Sequence, residues 1–239
     1  MSEDLSKIFL PNPNHQLVID LPEGSFFRFP VKTHVIIPGE DVIAVVKKYC
    51  LPFMQPGDRL VLGEKAIAVA QGRAYNIDEI KPSFWAKFFV KFVTKTPIGI
   101  GISSPWTMEL AVREVGVPRM MLAAACSALT KPLGIHGVFY RVAGHGINQI
   151  DGPADYVIPP YNRYASLGPS DPAGLAQQIE DAVGYPATIL DANDFGQEVL
   201  GCSKNFDPKF AKRIFKDNPL GQTSECTPLA IVRKVTSSQ

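Results

Sequence analysis

Proline is the feature that constrains this chain most. It supplies 21 of 239 residues, close to twice the roughly 5% background. A proline ring locks φ and removes a backbone donor, so proline belongs in turns, at sheet edges and in first helical turns. Pro38, Pro56, Pro105, Pro118, Pro153, Pro172, Pro208 and Pro228 each punctuate the boundary between two apolar stretches. Short elements and many turns follow. That suits an α+β fold of mixed sheets with flanking helices better than a helical bundle.

Between the prolines the elements are legible. Residues 1–29 are rich in Pro, Asn and Gly and read as an extended N-terminal arm, with a strand beginning near Phe26–Phe29. Val31–Ile37 is β-branched and predicts a strand. Asp41 predicts a capped helix over Val42–Tyr49. Arg59–Ala70 alternates and predicts a strand running into Gln71-Gly72-Arg73. Ser104-Pro105 predicts a helix to Val115, and Pro118 a second, more buried one ending near Gly134. Val138–Val142 and Ile147–Ile150 read as strands around Gly144-His145-Gly146. Ser170-Asp171-Pro172 caps a helix to Val183, Ala187–Leu190 is a buried strand, Asp207-Pro208 starts a last helix, and Leu229–Val232 is a final strand.

Charge and cysteine use exclude several classes. The formal net charge is +1 with 46% hydrophobic residues, so no global field draws nucleic acid and wholesale disorder is not expected. The longest apolar run, Met120–Leu129, falls well short of the ~20 residues that span a bilayer. Cys50, Cys126, Cys202 and Cys226 show no metal-knuckle spacing, and the first residues lack a basic-then-apolar leader. A cytoplasmic protein with reduced thiols is expected. In residues 82–93, Phe84, Phe88 and Phe92 share a helical face with Trp85 and Phe89 beside it, and Lys87 and Lys91 lie opposite. This pattern predicts a core or dimer-contact helix, with a membrane-surface helix as the rival.

Chemistry-bearing residues cluster after predicted strands. Asp151 follows Ile150, and Asp191 and Asp194 follow Leu190. Carboxylates at strand ends hold hard cations such as Mg2+ or Mn2+, although Asp also favours plain turns. Neither a GxxxxGK[ST] loop nor a GxGxxG unit occurs. Gly221-Gln222-Thr223-Ser224 presents successive N–H groups that suit a phosphate.

Several segments, in order, resemble the gamma-glutamyl ligase family that acts on coenzyme F-420 precursors. The similar stretches are Pro30–Ile36, Gly57-Asp58 through Arg73, Asn148–Asp151, Asn193–Gly196, and Leu220–Pro228 continuing to Arg233. The resemblance implies a ligase-like domain over 30–239, in one or two subdomains, and an intertwined homodimer. It implies metal ligands at Asp151, Asp191, Asn193, Asp194 and Gln222. It places nucleotide, GTP or ATP, against Thr33, His34, Glu64, Lys65, Leu220, Gly221, Gln222, Thr223, Ser224 and Glu225. Lys65 and Arg73 would offset phosphate charge. The implied reaction passes through an acyl phosphate that an amine displaces.

Some positions depart from the family pattern. Glu64, Lys65 and Val69 stand where the family carries Ser, Thr and Lys. The Asn after the metal-binding Asp is lost in Asp151-Gly152-Pro153-Ala154, and an Asp-Thr pair becomes Asn193-Asp194. On a strand, Lys65 shares a side with position 69. These changes leave two rivals: a ligase for a different acid and amine, and a binding protein on the same scaffold.

Overall fold

The computed structural model describes residues 5–93, 101–135, 137–144, 146–193, 196–221 and 223–235, without the side chains of Phe92 and Asn193. The chain forms two compact units, Met1–Gly72 with Pro169–Gln239, and Arg73–Gly168. In chain order the elements are β1 (Val18–Leu21), β2 (Gly24–Val31), α1 (Val42–Tyr49), β3 (Arg59–Gly63), α2 (Glu64–Ala70), β4 (Ala74–Asn76), α3 (Phe84–Phe89), α4 (Pro105–Val115), α5 (Val117–Thr130), α6 (Val138–Ala143), β5 (Tyr164–Ser166), α7 (Pro172–Val183), β6 (Ala187–Asn193), β7 (Gly196–Cys202), α8 (Pro208–Ile214) and β8 (Leu229–Lys234). The expected mixed architecture is present. Among the described residues no helix is long and apolar enough to cross a membrane.

The larger unit is built on a six-stranded sheet in the order β1-β2-β8-β3-β6-β7. Only β3 and β6 run parallel; every other neighbour is antiparallel. The whole second unit separates β3 and α2 from β6 in sequence, so the parallel pairing has its long crossover. Leu60, Val61 and Leu62 are all buried, as a central strand covered on both faces requires. Val61, Leu190, Ala230 and Val232 pack on one face with Phe210, Ala211 and Ile214 of α8. Helix α7 packs on β6 and β7, and α2 on β3 and β6.

The sequence-derived helix starts hold. Asp41 accepts from the amides of Ile43 and Ala44, Asp171 from Gly174, and Asp207 from Lys209 and Phe210. Ser104 and Thr107 form a reciprocal capping box at the start of α4. Each such cap stabilises its helix by about 1 kcal/mol.

Several expectations are corrected. The strand expected near Phe26–Phe29 is present within β2, but Val18–Leu21, read as part of an extended arm, forms β1, paired from Val18↔Phe27 to Leu21↔Gly24. The Val31–Ile37 strand ends at Val31, because the Thr33 amide leaves the ladder for the Cys226 carbonyl. Glu64–Ala70 is helix α2, not strand. Its Ala, Glu and Lys favour a helix, and alternating small and branched residues do not distinguish the two periods.

Val138–Ala143 is helix α6, and Ile147–Gln149 a single 3-10 turn. Gly137 and Gly144, both at positive φ, bracket α6. Packing on α5 overrides the β preference of its valines.

The second unit has its own core, in which Met108, Leu110, Ala111, Met120, Ala123, Ile147 and Ile150 are buried. Strands β4 and β5 pair antiparallel. Helix α5 is less buried than expected: only Met120 and Ala123 are covered, and Leu129 is 75% exposed. In α3, Ala86 and Phe89 pack inward, whereas Phe84 is 72% exposed and stacks on Phe88. The face expected to pack inward, with Phe84 and Phe88, is thus the more exposed one, and Phe89 beside it is the aromatic that packs inward.

Candidate active site

Register brings one set of predicted residues together. Val31, the last residue of β2, pairs with Leu229, the first of β8. Leu62 of β3 pairs with the same Leu229, and Gly63 pairs with Leu190 of β6. Four adjacent strands therefore share one rim of the larger unit. Thr33 and His34 leave β2 there, Glu64 and Lys65 follow β3, Asp191 follows Leu190, and the 220–228 segment enters β8.

Backbone bonds close this rim. The Thr33 amide donates to the Cys226 carbonyl at 3.0 Å, and the Gly63 amide donates to the Pro228 carbonyl at 2.8 Å. The Thr33 hydroxyl donates to the His34 carbonyl at 2.7 Å. Lys65 lies on helix α2, not on a strand, yet its relation to Val69 survives, because i and i+4 are also neighbours on a helix.

The 220–227 loop is braced from within. Thr227 Oγ1 donates to the Leu220 carbonyl at 2.6 Å and accepts from Asn12 Nδ2 at 2.8 Å. The same Asn12 amide reaches the Pro219 carbonyl at 3.0 Å. Glu225 folds back and accepts from the Thr223 amide and hydroxyl, each at 2.7 Å. Burial raises the Glu225 carboxyl, but the two Thr223 donors and nearby His15 hold it below its ordinary value. Gly221 has φ +72, and a Cβ there would come within 2.8 Å of Glu225. Ser224 lies exposed in the same loop.

Asp191 sits on β6 directly across from Glu198 of β7. Opposed residues of an antiparallel pair project to the same face, so two carboxylates stand side by side. Glu198 was not anticipated. The hairpin between Asp191 and Gln197 could have suggested it only after β7 was placed. Two hard oxygen donors fit a Mg2+ or Mn2+ ion. Among the described residues no three of His, Cys, Asp and Glu gather into a metal site. Asp194 and Gln222, with His145, lie outside the described residues, as does the side chain of Asn193.

Asp151 and Arg73 belong to the other unit. Asp151 does not end a strand; it forms an isolated bridge with Ser166 and its side chain is exposed. Arg73 donates to Glu114 at 2.8 Å and to the Gly168 carbonyl at 2.6 Å. A cleft at the opposite end of β3 and β6, lined by Asp58, Arg59, Tyr185 and Asn205, has its carboxylate closed by Arg233 at 2.6 Å.

Sheet and rim define a mixed α/β protein whose polar loop and paired carboxylates stand where strand ends leave the core. A protein-family model described as F420-0:gamma-glutamyl ligase matches residues 30–187, more than half of the chain. The chain belongs to that family, and the family is one of ligases. The match ends before Asp191 and the 220–228 segment, whose placement rests on the fold. No curated protein matches the chain.

Proposed function

We propose that this chain is a metal- and nucleoside-triphosphate-dependent amide ligase, similar to the enzyme that adds L-glutamate to a deazaflavin coenzyme precursor. The carrying observation is the shared rim, where Thr33, His34, Glu64, Lys65, Asp191 and the 220–227 loop come from four adjacent strand ends. Membership of the ligase family supports the reaction class.

Thr223 and Ser224 of the loop, with Thr33, line the triphosphate of GTP or ATP, Thr223 exchanging its bonds to Glu225 for phosphate oxygens. Lys65 offsets phosphate charge. Asp191 and Glu198 would hold Mg2+ or Mn2+, with Asn193, Asp194 and Gln222 of the same unit as further ligands. When bound, the metal neutralises charge on crowded phosphate oxygens. A substrate carboxylate takes the terminal phosphoryl group, and an amine then displaces phosphate from the acyl phosphate.

Glu64, Lys65 and Val69, which stand where the family carries Ser, Thr and Lys, favour a second version, with the same chemistry on a different acid and amine. A homodimer is the proposed assembly, for which exposed Leu122, Leu129 and Leu133 offer an apolar face. Calorimetry with GTP and ATP, with and without Mn2+, tests the proposal. Metal-dependent binding supports it, and absence of any nucleotide binding overturns it.

A further inference from the structure

Beside the rim, His34, which the family resemblance sets against the nucleotide, has its ring held between two other side chains in a chain of hydrogen bonds. Glu40 Oε1 bonds His34 Nε2. His34 Nδ1 bonds the Tyr49 hydroxyl at 2.8 Å. Glu40 Oε2 also accepts the Ile37 amide at 3.1 Å, which fixes the carboxylate. Burial raises the Glu40 carboxyl, but the Ile37 amide, the His34 ring and Lys48 more than offset this, so Glu40 stays below its ordinary value. The Lys48 ammonium lies over the Tyr49 ring, 4.9 Å from its centroid.

Both ring nitrogens of His34 are thus engaged, and the imidazole has no open position for a substrate. The group at the outer end of the chain is the Tyr49 hydroxyl. Carboxylate, imidazole and hydroxyl in this order form a proton relay whose hydroxyl does the work. The relay joins the rim through Thr33, the residue before His34, whose amide is bonded to Cys226.

We propose that Tyr49 takes the proton from the amine substrate, with His34 and Glu40 as positioning residues behind it. This rests on the amide-ligase reading. An amine at neutral pH is an ammonium ion and cannot attack. Its proton passes to Tyr49 Oη as the phenol proton passes to His34 Nδ1. Glu40 accepts from Nε2–H and balances the imidazolium. The neutral amine then forms the C–N bond while the acyl C–O bond breaks, and phosphate leaves with the electron pair.

The test uses Tyr49→Phe, which keeps the ring and the Lys48 contact. Enzyme, GTP, Mn2+ and the deazaflavin acid are supplied with either L-glutamate or hydroxylamine, a weak base that is already neutral at neutral pH. The proposal expects glutamate ligation to fall about 100-fold while hydroxamate formation falls far less. Equal loss with both amines, or no loss with glutamate, overturns it. Wild-type protein that ligates neither glutamate nor hydroxylamine overturns the ligase reading instead.

The relay is then decided by nitrogen-15 NMR of the histidine rings. A slowly exchanging His34 ring N–H signal that shifts in Tyr49→Phe and Glu40→Gln supports it. A ring indifferent to both changes overturns it.

Discussion

The Thr33 amide donates to the Cys226 carbonyl at 3.0 Å, tying the residue that leaves β2 to the loop that enters β8. Cys226 makes this bond from a left-handed backbone, φ +58. A β-branched residue tolerates that conformation poorly. Cys226→Val is expected to lose about 1–2 kcal/mol of stability, whereas Cys226→Gly, free of that strain, should melt close to wild type. Thermal denaturation of the pair checks this, and equal melting temperatures would refute it.

The opposed pair Asp191 and Glu198 should report metal directly. Asp191→Asn and Glu198→Gln are each expected to weaken Mn2+ binding about tenfold, or about 1.4 kcal/mol of metal-linked stability. Melting curves with and without Mn2+ read this out. A full metal-induced shift in both variants counts against the metal assignment.

Burial pushes the Cys50 thiol up to about 12, and its side chain is 0% exposed. The thiolate is the reactive form. Alkylation of the native protein at mildly alkaline pH should therefore leave Cys50 unmodified and label the less buried Cys126 and Cys226 first. Peptide mass spectrometry gives the order of labelling, and early modification of Cys50 contradicts the fold around α1.

Acid should weaken the larger unit through Asp217. Partial burial raises its carboxyl, but buried Arg28 beside it lowers it further, so the net direction is down. A carboxyl lowered in the folded state adds stability above its unfolded value of about 3.9, and that stability disappears as pH falls through the folded value. Melting temperature should drop at pH below about 4. Asp217→Asn should be less stable near neutrality, with a flatter acid limb. An unchanged limb would show that other carboxylates carry the effect.

Leu129 and Leu133 are 75% and 74% exposed. Changing both to Asp should alter monomer stability by no more than about 0.5 kcal/mol each but shift a homodimer towards monomer. Sedimentation velocity decides. A dimer indifferent to both changes places its contact elsewhere.

Legibility in the sequence followed the range of the interactions. The starts of α1, α4, α7 and α8 were readable because Asp41, Ser104, Asp171 and Asp207 bond to amides two or three residues ahead. The strands over Ala187–Leu190 and Leu229–Val232 were read from their largely apolar runs, but β6 continues to Asn193, so Asp191 lies within the strand rather than after it. Glu64–Ala70 and Val138–Ala143 were misread as strands, since their apolar spacing suits both periods and only packing against β3 and α5 selects the helix. Candidate residues were found singly, through their resemblance to a ligase family, whereas Glu198 had no motif to mark it.

The sequence by itself determined where the chain turns, which helices are capped, and that it belongs with the ligases. A cap or a proline acts within a few residues and needs no partner elsewhere. Only the tertiary structure decided that Thr33, Glu64, Asp191 and the 220–227 loop meet at one rim, and that Asp191 faces Glu198. That meeting depends on register between strands far apart in the chain. A one-residue slip would turn every side chain of a strand to the opposite face and take Asp191 away from Glu198.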